Sequence, residues 1–265
     1  FALTLNSCKL SDLRTPAIKE AISQPDAEDK GKLFLAQLYR AYGGTYWDQI
    51  ETYRAVFKEE FFKLKFASAF PKGKAIVYLD YVAGNYDGRL TFTEGKKEGE
   101  QWGISDWKTW SRKKGEEIRW KDSNKIEFWL PTYQYFVQFP VKIREATYVR
   151  YAGQTVIQGE TYETVFASWG TDTPQKDLDQ YLIYVNSKGY IYAIEYTIRG
   201  AGKWLHGACI FEDYHHLDNV TIPKTMKVLG PKVDLNNPKY FHQMEVLEFK
   251  QEVVPKEELS ISPAQ

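Results

Sequence analysis

Between Lys30 and Tyr42 the apolar positions return every three or four residues. Leu33, Phe34, Gln37, Leu38 and Tyr42 fall at helical spacing, which predicts a short amphipathic helix. Gly43-Gly44 ends it, because glycine reaches left-handed backbone angles without a Cβ clash. From Thr52 the period drops to two. Tyr53, Ala55 and Phe57 take one face; Arg54 and Lys58 take the other, with Val56 among them. At Glu59-Glu60 the alternation breaks, and Phe62, Leu64 and Phe66 then carry the apolar side. A bulge at that point would re-aim a long, curved strand.

The same reading continues along the chain. Pro71-Lys-Gly is a turn, and 75–82 is apolar on both faces, as in a central strand. Gly84–Gly88 turns into a short strand carrying Leu90 and Phe92, and Glu94-Gly95-Lys96 turns again, which gives an antiparallel meander. Asp122-Ser-Asn marks a helix start. Ile126, Trp129, Leu130, Tyr133 and Phe136 follow at helical spacing, with a break expected at Pro131 and an end at Phe139-Pro140. Alternating runs recur from Tyr148 and from Thr161. The clearest hairpin is 181–198, turning at Asn186–Gly189, with Tyr190, Tyr192, Ile194, Tyr196 and Ile198 on one face. Further strands are expected over 204–214, from Ile222 and over 240–249. The tail from Val253 reads as polar and loose. There is no strand–helix alternation and no fixed-period repeat, so this is one domain, a long antiparallel sheet with few helices.

Composition narrows the possibilities. The 265 residues are 43% hydrophobic and 26% charged, ordinary for a folded chain with a sizeable core. Lys+Arg and Asp+Glu are both 35, so nothing favours nucleic acid, whose binding domains are usually basic. The 19 Tyr and 8 Trp suit strands and wide half-buried surfaces, and could equally line a ligand groove. Four tryptophans, Trp102, Trp107, Trp110 and Trp120, gather in one stretch, where core packing competes with sugar stacking. Cys209, in a strand-like run, reads as a buried thiol in preference to a disulfide partner of Cys8.

The first eight residues resemble the end of a secretory apolar segment followed by a bacterial lipobox. Leu5, Ser7 and Cys8 fit its positions, and Cys8 would take the lipid. No other stretch approaches the roughly 20 apolar residues of a membrane-spanning helix. The expectation is export, with membrane attachment by a lipid anchor alone.

A family resemblance covers most of residues 30–225. Leu38-Tyr-Arg-Ala-Tyr-Gly-Gly-Thr-Tyr-Trp-Asp-Gln-Ile50 resembles the opening of LolA/LppX-like exported proteins, especially their Bacteroidetes relatives. Phe128–Tyr133 with Phe139-Pro140, Asp179–Val185, and Phe211–Tyr214 with Val220–Pro223 agree in order. Tyr42 departs from the pattern, where histidine is frequent. The resemblance implies an α+β, mostly β fold: an unclosed antiparallel half-barrel with a few helices on its concave side, and acyl chains or lipoprotein lipid between. On this reading 1–29 is a lipobox-like N-terminus and tether, 30–252 a single half-barrel domain, and 253–265 a polar tail. Groove positions are assigned to Phe57, Phe61, Leu79, Phe92, Phe166, Tyr192, Ile194 and Tyr196, with Leu38 on the opposing helix. A fully packed core is the alternative. Expected partners are a lipid or acylated lipoprotein and other envelope proteins, in the periplasm or at the outer membrane, with no cofactor and no catalysis.

The sharpest polar cluster is Glu212, Asp213, His215, His216 and Asp218, with His206 upstream. A hydrolase built on Asp213, His215 and His216 is the competing reading, and a glycan-binding or envelope-assembly module is a third. Adjacent His215 and His216 on a strand would point to opposite faces, which disfavours one shared ion. No Gly-x-Ser-x-Gly elbow is present.

Overall fold

The structure is a computed structural model, and it describes residues 10–63, 65–230 and 232–263. Cys8 with its lipobox-like segment, and Leu64, lie outside the described residues. In chain order the helices and strands are α1 (Pro16–Ile22), α2 (Ala27–Ala41), α3 (Gly44–Trp47), β1 (Thr52–Phe61), β2 (Lys74–Val82), β3 (Gly88–Phe92), β4 (Gln101–Ser105), β5 (Lys108–Arg112) and β6 (Arg119–Trp120). Then come α4 (Asn124–Lys142), β7 (Tyr148–Ile157), β8 (Glu160–Ser168), β9 (Tyr181–Val185), β10 (Ile191–Thr197) and β11 (His206–Phe211). The last are β12 (Tyr214–His216), β13 (Thr221–Pro223), β14 (Thr225–Leu229) and β15 (Tyr240–Gln251). Contacts divide the chain into two compact units. The first holds the described residues through Ala41 with Pro140–Phe211 and Lys227–Tyr240; the second holds Tyr42–Phe139, Glu212–Met226 and the residues from Phe241 on.

In the first unit β7, β8, β9, β10 and β11 pair in that order, all antiparallel. Residues directly opposite one another share a face. Val165, Ile183, Ile194 and Cys209 form one row. The other face carries Phe166, Leu182, Ala193, Ala208 and Ile210, packed with Leu13, Ile18 and Ile22. Thr15 caps α1 by accepting from Ile18 N, and Pro16 opens it. The segment read as a tether thus carries a short helix, with its apolar side buried. Helix α2 lies close on β7. A Cβ on Gly31 would sit 2.8 Å from the Arg150 backbone, so only glycine fits there. Phe34 stacks on Tyr151 at 5.6 Å, and Glu28 pairs with Arg150 at 2.9 Å.

In the second unit the strands run β6-β5-β4-β3-β2-β1-β15, again antiparallel. The meander read from the turns is present, and β15 lies along the far side of β1. β6 and β7 are the two end strands of the pairing order and each has a single neighbour, so the order does not close into a barrel. The expected fold class is therefore the observed one: mostly β, antiparallel and unclosed, with few helices. β12 and β13 form a separate ribbon. At Gly43, φ is +72° and a Cβ would stand 2.0 Å from the Asn219 carbonyl, so the glycine that ends the helical run also admits that ribbon's loop.

Three local expectations change. β1 keeps its period through Glu59: Tyr53, Ala55, Phe57, Glu59 and Phe61 are all buried and share a face. The bulge instead lies opposite, where Val56 pairs with Glu248 but Phe57 with Val246, leaving Leu247 extra. Phe62 and Phe66 are exposed. Helix α4 runs through Pro131 and Pro140. The bond that Pro131 cannot make is offset by fixed neighbours: Tyr81 Oη donates to the Leu130 carbonyl, Thr132 Oγ1 to Phe128 O, and Gln134 Nε2 to Val82 O. The C-terminal segment is held rather than loose. Val254 and Leu259 are buried with Val82, and Thr52 Oγ1 donates to Val254 O at 2.7 Å.

Candidate ligand-binding site

Helix α4 covers one face of the second unit's sheet. That face is Tyr53, Ala55, Phe57, Glu59 and Phe61 on β1, Val77, Leu79 and Tyr81 on β2, and His242, Met244 and Val246 on β15. The helix turns Trp129, Leu130 and Tyr133 toward it. The Phe57 and Tyr133 rings are 4.9 Å apart, Phe61 and Trp129 6.0 Å, and Trp129 stacks on Tyr133 at 5.3 Å. Phe70 lies parallel to Tyr133 at 6.0 Å. This is a dense aromatic layer, the kind that large flat side chains build over a pleated face.

A polar group sits inside it. Glu59 is 0% exposed, and its Oε2 accepts from Tyr133 Oη at 3.1 Å and from Ser68 Oγ at 3.2 Å. Its Oε1 lies 3.5 Å from His242 Nδ1, and neither atom has a hydrogen-bond partner among the described residues. His242 is stacked on Phe61 at 4.4 Å and meets the Trp129 edge at 6.2 Å. Burial pushes the Tyr133 phenol well above its ordinary range, and the neighbouring Glu59 carboxyl adds to this. Gln134 Nε2 donates to Val82 O and Asn85 O, while its buried Oε1 has no partner among the described residues.

The other buried carboxylate of this sheet shows what full satisfaction looks like. Asp80 alternates with Leu79 and Tyr81, so it lies on the opposite face. It accepts from Arg54 Nε at 2.6 Å, Arg54 Nη2 at 3.0 Å and Arg89 Nε at 3.0 Å. Glu59 has two neutral donors and an imidazole beyond hydrogen-bond length. Chemically, the α4 layer holds a carboxyl, an imidazole, a phenol and an amide oxygen within packed aromatic side chains. It does not assemble nucleophile, base and orienter in series, because Ser68 Oγ donates to the carboxyl itself.

The predicted groove residues divide. Phe57, Phe61, Leu79 and Phe92 do share the face beneath α4, and all are buried. In the first unit Phe166 and Tyr192 pack on the α1 side, Tyr192 stacking on Tyr162 at 4.5 Å. Ile194 and Tyr196 lie on the opposite face, across from Ile183 and Tyr181. Tyr192 is the extra residue of a bulge between Ile191 and Ala193, so the hairpin's aromatic row does not stay on one face. Leu38 is buried in α2. Glu59, Trp129, Gln134 and His242 were not among the candidates. A glutamate at an inward position of an unbroken two-residue period was the available signal.

The histidine cluster is tied into backbone structure. His215 Nε2 contacts Val246 O at 2.7 Å, and His216 Nδ1 contacts Thr221 Oγ1 at 3.1 Å. Being adjacent on β12, the two rings point apart. His206 pairs with Glu195 at 2.8 Å in the first unit. No three His, Cys, Asp or Glu among the described residues gather as a metal site would need. Trp110 is buried opposite Trp120, while Trp107 is exposed beside Tyr86. Cys209 is buried and free, and burial pushes its thiol well up. No helix among the described residues is long and apolar enough to cross a membrane.

No family model matches the chain, and no curated protein matches it. Solved structures do. A DUF1329 family protein from Desulfovibrio piger matches with a TM-score of 0.50 at 8% identity, covering 86% of this chain and 94% of that one. A putative outer membrane lipoprotein-sorting protein domain from Vibrio parahaemolyticus also gives 0.50, at 10% identity, covering 87% and 96%. A LolA superfamily protein from Nitrosomonas europaea gives 0.47 at 10% identity, covering 82% and 97%. The fold shared with the first two of these is of the class that the resemblance implied, mostly β, antiparallel and unclosed, with few helices.

Proposed function

We propose that this chain is an exported, lipid-anchored protein of the bacterial envelope that binds a hydrophobic ligand or an acylated lipoprotein and catalyses no reaction. The observation that carries this reading is the layer beneath α4. It combines wide aromatic surface with buried polar atoms that have no hydrogen-bond partner among the described residues, and a buried donor or acceptor left unsatisfied costs about 1–3 kcal/mol. A helix seated on such a layer separates from it more readily than from a hydrocarbon one. An acyl chain entering beneath α4 would regain about 0.8 kcal/mol per buried methylene. A polar linkage on that chain would meet Glu59, His242 and Gln134. The fold supports the same direction, since one structure that shares it is described as a putative outer membrane lipoprotein-sorting protein domain.

Lipid extraction and mass spectrometry of protein purified from its own envelope test the reading. The expected result is a co-purifying lipid or lipoprotein; protein that is free of lipid and takes up no acyl probe would refute it. The anchor is tested separately. Cys8→Ala should move the protein from the membrane to the soluble fraction, and unchanged membrane association would refute acylation at that residue.

A further inference from the structure

Beside the α4 layer the second unit has a pocket of about 380 Å³, within the range that holds small ligands. Lys65, Lys72, Lys97 and Lys125 line it, with Phe66, Phe70 and Trp102 as its apolar surface, and none of its described lining residues is acidic. In a chain of zero net charge this is a local concentration of one sign. Lys97 is engaged: it pairs with Glu100 at 2.6 Å and lies over the Trp102 ring at 4.8 Å. Lys65, Lys72 and Lys125 are exposed and have no carboxylate partner among the described residues.

Two short helical turns, Lys65–Ala67 and Pro71–Gly73, carry Lys65, Phe66 and Lys72 of this lining. Lys72 holds a left-handed backbone, φ +61°, where a non-glycine residue is strained. Ser68 and Phe70 line the pocket and also belong to the α4 layer. Ser68 Oγ donates to Glu59, and Phe70 stacks on Tyr133. The pocket therefore adjoins the α4 layer through shared residues. Phe66, 84% exposed, adds apolar surface at the pocket.

We propose that this pocket takes the oxyanion headgroup, phosphate or carboxylate, of an amphiphile whose chain passes over Phe66, Phe70 and Trp102 toward the layer beneath α4. Lysine ammonium groups suit it as mobile point charges for an anion of variable position. The proposal rests on the amphiphile-binding reading given above and adds the sign and place of the headgroup.

Calorimetric titration of the whole chain with dodecyl phosphate, dodecyl maltoside and inorganic phosphate tests it. Dodecyl phosphate should bind about tenfold tighter than dodecyl maltoside, the order that a few partly exposed charge pairs supply, and salt should narrow the gap. Lys72→Gly should abolish most of the preference. It also relieves the left-handed backbone, so lost folding cannot explain the loss. Lys125→Glu should act in the same direction, whereas Lys188→Glu, on an exposed turn of the first unit, should keep the preference. Equal affinity for the two detergents would overturn the headgroup site and leave amphiphile binding standing. Binding of neither detergent would overturn both. Inorganic phosphate binding as tightly as dodecyl phosphate would overturn the amphiphile and leave a simple anion site.

Discussion

Beneath α1 the first unit buries Leu13, Ile18 and Ile22 against Phe166, Leu182, Ala208 and Ile210, and its polar neighbours are paired. Tyr184 Oη donates to Glu195 at 2.6 Å. Gln180 Oε1 accepts from Leu13 N. Asp179, whose carboxyl burial pushes up, accepts from Thr197 and from Arg199 N. Beneath α4 the second unit instead leaves Glu59 Oε1, His242 Nδ1, Gln134 Oε1 and Tyr53 Oη without hydrogen-bond partners among the described residues, the first two facing each other at 3.5 Å; among the described residues of the first unit only Arg199 Nε stands in that position. Both layers are helix on sheet. They differ in whether the buried polar atoms are satisfied, and so in how much is lost when helix and sheet part. On the proposed reading the first unit serves as the scaffold and the second as the part that opens.

The largest test cuts into the scaffold. Phe166→Ala should cost about 3–5 kcal/mol by urea denaturation, because a fully buried ring leaves a cavity in a packed layer. A loss under about 1 kcal/mol would mean that the first unit is the yielding one, contrary to the comparison drawn from its packing.

Next in size is Glu59→Met. It leaves the Tyr133 and Ser68 hydroxyls without their acceptor, at about 1–3 kcal/mol. The triple change Glu59→Met, Tyr133→Phe, Ser68→Ala removes the carboxyl and both hydroxyls together and should recover part of that loss, the remainder being Phe70 N, which donates to Ser68 Oγ at 3.0 Å and loses its acceptor. A triple variant as unstable as the single one would show that Glu59 is fully satisfied as it stands.

Alkali gives a smaller and more evenly shared effect. Burial pushes the phenols of Tyr53, Tyr81 and Tyr133, and of Tyr184 in the first unit, above the ordinary value near 10. The raised folded-state value fixes the sign. Their contribution is complete below the unfolded phenol value of about 10 and is lost as pH rises beyond it, because the unfolded chain releases the protons first. Denaturation midpoints should hold from pH 7 to about 9 and fall above about 10; Tyr133→Phe should reduce the fall.

The smallest effect is a null one in the scaffold. Cys209 is buried in β11 with its thiol pushed up, so a thiol reagent should reach it only at the rate of global unfolding. That rate should not rise when an acyl probe is present. Acceleration by the probe would place the opening in the first unit.

Much of the architecture was legible in the chain. Turn chemistry at Gly84–Gly88 and Asn186–Gly189 marked the hairpins, and two-residue periods marked their strands. What escaped was decided by contacts distant in sequence. Glu59 reads as a break in a strand because charge is normally excluded from a core; Tyr133, Ser68 and His242, at 74, 9 and 183 positions' remove, give it a place there. Tyr192 reads as one of a row because a bulge adds no mark of its own to an aromatic run. Pro131 reads as a break, yet α4 is held on both sides of it by Tyr81 and Gln134. For the same reason the face beneath α4 was half legible. Phe57, Phe61, Leu79 and Phe92 follow from period alone, whereas the polar atoms beneath α4 do not.

The account stands most directly on hydrogen exchange measured by mass spectrometry, with and without a fluorescent fatty acid. Exchange reports local opening segment by segment. Uptake of the probe should alter protection in residues 124–139 and in β1, leaving β9, β10 and β11 unchanged. No uptake, or protection changes confined to β9–β11, would contradict the claim that the layer beneath α4 is the part that opens.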